Sequence, residues 1–71
     1  MIVTNSLGLH EWHLEILDRQ MGEWVFSAHN VEDDFTFEEA MREAIWLSRS
    51  IKAHYRIVNI RTGAILPAAI L

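Results

Sequence analysis

Between positions 35 and 52 the chain reads FTFEEAMREAIWLSRSIK. Apolar side chains at 37, 40, 41, 44, 45, 47 and 51 recur there as one broad helical face, at about 100° per residue. Glu38, Glu39, Arg42, Glu43, Arg49 and Ser50 fall opposite them. The pattern predicts a helix opened by a capping box, in which Thr36 accepts from the Glu39 amide while the Glu39 carboxylate reaches back to the Thr36 amide. It should end near Lys52 or Ala53, with Arg49 and Lys52 set against the negative helix end. Phe35, just before the cap, is placed to staple the first turn. One residue breaks the pattern: Trp46 falls about 180° from the centre of the apolar stripe, among polar neighbours.

On either side of this segment the period changes from 3.6 to 2. Over residues 10–17, Trp12, Leu14 and Ile16 alternate with Glu11, His13 and Glu15, as in a half-buried strand. The polar connection DRQMG follows, with Gly22 able to supply a positive φ. A second strand is expected over 23–30, with Trp24, Phe26 and Ala28 beside Trp12, Leu14 and Ile16 on one side of the sheet. The acidic stretch NVEDD then leads to the helix start, where its carboxylates suit the macrodipole. HYRIVNIR, residues 54–61, reads as a third strand with Tyr55 and Ile57 on one side and Val58 and Ile60 on the other, which suits a central position. Thr62 and Gly63 turn the chain into a short fourth strand over 64–66. Pro67 cannot donate to a ladder, so that strand ends there or lies at an edge.

The order strand, strand, helix, strand, strand, without repeats or linkers, defines an α+β fold. It is a two-layer ββαββ arrangement in which one helix lays Phe37, Met41, Ala44 and Ile45 on a small, mostly antiparallel sheet. Residues 1–71 form a single domain, with a lead-in over 1–9, an additional edge strand expected at 1–3, and an apolar tail over 67–71. At 71 residues and 51% apolar content, a core is affordable but the stability margin should be small.

Composition removes whole classes of chemistry. Without cysteine there is no disulfide framework, thiolate metal site or cysteine nucleophile. The start MIVTNSLGLHEW has no basic region followed by a long apolar core, and no run approaches the roughly 18 apolar residues of a membrane span. A cytoplasmic protein that does not engage membranes is therefore expected. The net charge of −4 is unevenly spread, because all ten acids lie between Glu11 and Glu43 while Arg49, Lys52, Arg56 and Arg61 follow with no acid after them. This asymmetry points to a charged partner or to a dipolar surface whose halves neutralise each other on folding.

No catalytic, metal or cofactor site is expected. His10 and His13 would point to opposite faces of a strand, and a ligand set made with His29 and Glu11 or Glu15 would have to cross the hairpin. Glu32, Asp33 and Asp34 lack the spacing of a calcium loop, and three dispersed glycines cannot cradle a phosphate. No Ser, Thr, Asp or Glu sits at a strand-to-helix elbow. The expected function is protein binding through Trp46, with Arg42, Glu43, Arg49 and Glu39 around it, since an exposed Trp with Arg neighbours is the composition of interface hot spots. Packing of Trp46 under a terminal segment is the competing explanation. A second expectation is a homodimer or docked partner joined by strand addition at the apolar tail AILPAAIL, residues 64–71. The alternative function is a small nucleic-acid-associated or antitoxin-like protein using Arg49, Lys52, Arg56 and Arg61.

The stretch TFEEAMREAIW followed by YRIVNIR, within residues 36–61, resembles small phage-encoded proteins that bind and inhibit host enzymes, notably phage inhibitors of bacterial RNA polymerase with a short α+β domain. That resemblance implies docking of charged surface residues, here the acidic band over 32–43, on a bacterial host enzyme. Residues 24–40, with the strand WVF, an acidic turn and T-x-E-E-A opening a helix, are similar to HicB-type antitoxins. In that family a DNA-binding helix-turn-helix or ribbon domain follows; none follows in these 71 residues, so the resemblance does not extend to operator binding.

Overall fold

The computed structural model describes residues 8–68. The elements are β1 (Trp12–Asp18), β2 (Glu23–Phe26), α1 (Phe37–Ile51), β3 (Tyr55–Asn59) and β4 (Ile65–Pro67). They form a four-stranded sheet in the order β2-β1-β3-β4, with every neighbouring pair antiparallel and α1 packed on one face. This is the expected two-layer ββαββ fold, with β3 in the interior and β4 at an edge. The edge strand expected at 1–3, and residues 69–71 of the tail, lie outside the described residues.

The helix begins as its capping box requires. Thr36 Oγ1 accepts from the Glu39 amide at 3.2 Å, and Glu39 Oε1 accepts from the Thr36 amide at 3.1 Å. It closes at Lys52, which takes the left-handed conformation at φ 62 and whose carbonyl accepts from Arg19 Nη2 at 2.9 Å. Ala40, Ala44 and Leu47 are its buried residues, small enough at the first two positions to bring the helix close to the sheet. They meet Trp12, Leu14, Tyr55 and Ile57, with Phe35 and Ala68 closing the cluster and Ile16, Phe37, Met41 and Ala53 packed around it. The register Leu14↔Ile57 and Ile16↔Tyr55 puts these side chains on one face. Ile45 stays half-exposed and Ile51 exposed, so the buried stripe is narrower than the apolar pattern suggests. Trp12 meets Phe37 edge-on with ring centroids 5.2 Å apart.

Two expectations about β2 are corrected. The first is its length, since it stops at Phe26 instead of reaching residue 30. Asn30 explains the stop. Its Oδ1 accepts from the Leu14 amide at 2.7 Å while its Nδ2 donates to the Leu14 and Ser27 carbonyls at 2.9 and 3.0 Å. A side chain thereby occupies the place on β1 that a longer strand would have filled. The ladder resumes only at Phe35, which exchanges hydrogen bonds of 3.0 and 2.9 Å with Trp12.

The second correction concerns facing. Trp24 lies opposite Leu17 and Phe26 opposite Glu15, while Val25 lies opposite Ile16. Trp24 and Phe26 therefore point away from the helix, on the other face from Trp12, Leu14 and Ile16. The cause is the hairpin. Asp18 pairs with Glu23 across the loop 19–22, closed by Gly22 N–H donating to the Asp18 carbonyl at 2.7 Å with Gly22 at φ 70. An even-length loop pairs even positions of one strand with odd positions of the other, and a shift of one residue would exchange the faces.

At the other end of the sheet, β3 stops at Asn59 because the Asn59 Oδ1 accepts from the amides of Arg61 and Thr62 at 2.9 and 2.8 Å. These bonds shape the turn in which Gly63 takes φ 81. Ile60 thus lies past the strand and is exposed. No helix among the described residues is long and apolar enough to cross a membrane.

Candidate functional site

The outer side of α1 is built from the positions left over once Ala40, Ala44 and Leu47 face the sheet. Trp46 stands there with 61% of its surface exposed, and helical spacing puts Arg42 and Glu43 one turn before it and Arg49 one turn after. Glu39, Arg42 and Glu43 also line a pocket of about 390 Å³ shared with His10, Val31, Glu32, Asp33, Asp34 and Phe35. The five residues expected to bind a partner are therefore brought onto one surface, with Trp46 as its apolar member and mixed charges beside it. Glu39 has a structural duty as well. The Thr36 backbone amide holds its carboxyl below the ordinary value, so part of its charge is committed to the helix cap.

The four cations of the nucleic-acid alternative are distributed differently. Arg49 lies in the last turn of α1 and Lys52 at its cap. Arg56 lies on the sheet face away from the helix, where its Nε and Nη2 are 2.8 and 2.7 Å from Glu15 Oε1. Its guanidinium stacks 4.5 Å from the Trp24 ring centroid. Arg61 sits at the turn after β3, donating through Nε and Nη2 to Glu11 at 2.9 and 3.3 Å. Two of the four are thus ion-paired, and these two lie on different parts of the surface.

Sequence reasoning missed both ion-paired groups. On the open sheet face, His13 Nε2 lies 3.3 Å from Glu15 Oε2 and its ring meets Phe26 edge-on at 5.2 Å, so His13, Glu15, Arg56, Trp24 and Phe26 form one connected patch. Loop parity was the signal that could have revealed it. At the end of the sheet, buried Glu11 accepts from Asn59 Nδ2 at 2.9 Å as well as from Arg61. These bonds, Arg61 first, hold its carboxyl below the ordinary value and push the Arg61 guanidinium up. Nothing local in the sequence couples positions 48 to 50 residues apart.

As for metal ligands, His13 is engaged with Glu15, and His10 Nδ1 lies 3.1 Å from the Asp34 carbonyl. Among the described residues no three His, Cys, Asp or Glu side chains are grouped to hold a metal ion. The geometry defines a small α+β domain with an exposed aromatic on its helix. No family model, curated protein or solved structure matches the chain.

Proposed function

We propose that this chain is a non-enzymatic protein-interaction module that docks on a protein partner through the outer side of α1, with Trp46 as the anchor. The observation that carries the reading is the indole of Trp46, exposed on a helix whose packing needs are met by Ala40, Ala44 and Leu47. A large aromatic in that place adds nothing to the core, whereas in an interface it fills a pocket at low entropic cost. Glu39, Arg42, Glu43 and Arg49 supply the polar rim, and their mixed signs favour a partner surface that is also mixed. The narrower form of the proposal, a phage-type modulator of a bacterial host enzyme, draws on the resemblance carried by residues 36–61 and on the acidic band over 32–43. The nucleic-acid alternative has weaker support, because Arg56 and Arg61 are already engaged by Glu15 and Glu11.

Capture from bacterial lysate with the wild-type chain and with Trp46→Ala tests the reading. A specific partner retained by the first and lost by the equally folded second supports it. An identical set of retained proteins removes Trp46 from the account.

A further inference from the structure

The two outer strands of the sheet expose their backbones unequally. In an antiparallel ladder, successive residues turn their N–H and C=O groups to opposite sides. Ser27 donates to Leu14 of β1 at 3.1 Å, so stepping back by two within the register of β2 Val25 and Glu23 turn their backbones inward. Trp24 and Phe26 turn theirs outward. On the opposite edge, Asn59 donates to the Ala64 carbonyl at 2.8 Å and Ala68 to the Tyr55 carbonyl at 3.0 Å, so Ile65 and Pro67 are the outward positions of β4. Pro67 has no N–H, and this edge is blunted in the usual way.

Among the described residues the β2 edge is guarded only by its shortness, four residues, and by the charge of Glu23. It has no proline, lysine or bulge within Glu23–Phe26, and Val25 and Phe26 are 40% and 65% exposed. Among the described residues nothing bonds the outward amides of Trp24 and Phe26.

The geometry points to the β2 edge as a self-pairing surface, on which a second copy of this chain adds its own β2 antiparallel to form a continuous eight-stranded sheet. A two-fold axis through Val25 sets Trp24 against Phe26 of the second copy in both directions, giving about four inter-strand hydrogen bonds. The same register brings two aromatic cross-strand pairs together on the open face and sets Val25 against Val25 on the other. Glu23, the only charge in the strand, falls opposite Ser27, so the carboxylates of the two copies do not meet. An extended peptide of another protein could use the same backbone groups, but the self-complementary register selects the second copy. Because Pro67 blunts the other edge, the assembly closes at two chains instead of growing into a fibre.

Sedimentation equilibrium of the full chain from about 10 μM to about 1 mM, the range for an interface at the small end of the size scale, tests this. The mass is expected to rise from one chain to two. Phe26→Pro removes an N–H that the fold does not use, and should weaken association at least about tenfold, more than Phe26→Ala, which keeps the N–H. A single-chain mass across the whole range, growth beyond two chains, or a folded Phe26→Pro that associates like the wild type overturns the inference. If Phe26→Pro does not fold, hydrogen exchange of the wild type decides: Trp24 and Phe26 amides should gain protection as concentration rises, and unchanged exchange rejects the pairing. Trp46 lies outside this edge, so Trp46→Ala should dimerise like the wild type whether or not it loses a partner.

Discussion

The inner and outer sides of α1 share one backbone and one set of caps, yet their residues are explained by different physics. On the inner side Ala40, Ala44 and Leu47 are buried against Leu14, Tyr55 and Ile57, and each follows from the need to cover a sheet closely. On the outer side Trp46 is exposed among Arg42, Glu43 and Arg49, and the fold makes no use of its ring. Glu39 belongs to both groups, because it lies on the outer side but completes the capping box. The contrast shows where stability and binding separate in a domain this small: all of the helix's packing is spent on one stripe, leaving the opposite surface free to vary.

The contrast is broken most severely from the inside. Leu47→Ala removes the largest side chain that α1 buries and should cost about 2–5 kcal/mol. For a domain of this size each kcal/mol is worth roughly 4–8 °C in melting temperature. Thermal unfolding followed by circular dichroism should therefore show a loss of at least about 8 °C. A change of only a few degrees would mean that the helix is not held by this stripe.

A smaller effect is expected at the cap. Thr36→Ala should cost about 1 kcal/mol, with a range of about 0.5–2, by leaving the Glu39 amide without its acceptor. Chemical denaturation measures it. If Thr36→Ala and Glu39→Ala lower stability by similar amounts while only the second changes partner capture, Glu39 serves both sides of the helix independently.

Acid should reveal the two bonded carboxylates. Glu11 and Glu39 are held below their ordinary value in the folded chain, so each contributes stability that is present above the unfolded-state pKa and is lost as pH falls through the lower folded one. Stability should thus be flat down to about pH 5 and decline below it. Glu11→Gln should flatten part of that decline, and an unchanged pH profile would remove Glu11 from the account.

Much of this was legible beforehand, for reasons that can be named. The helix and its start depend on residues three and four apart, and Thr36 with Glu39 announces the cap in the sequence alone. The central place of β3 follows from its two apolar sides, and the place of Trp46 on the outer side of α1 from its angle to the stripe, whereas its exposure rather than cover by a terminal segment was not legible. The facing of Trp24 and Phe26 was not legible, because it turns on which residues close the loop 19–22, and one position either way exchanges the faces. The early end of β2 depends on Asn30, whose side chain bonds Leu14 sixteen positions back, a distance at which no periodic pattern operates. The same is true of Arg56 with Glu15, and the basic run looked like a free patch only because its acidic partners are remote in sequence.

The smallest expected stability effect carries the central claim. Trp46→Ala removes a mostly exposed ring and installs a better helix former, so its folding stability should stay within about 1 kcal/mol of the wild type. The decisive measurement is capture of partners from bacterial lysate by the wild-type and Trp46→Ala chains, compared after both are shown to melt alike. The account predicts that a specific protein partner is retained by the wild type and lost by the variant. Equal capture by both chains would contradict it.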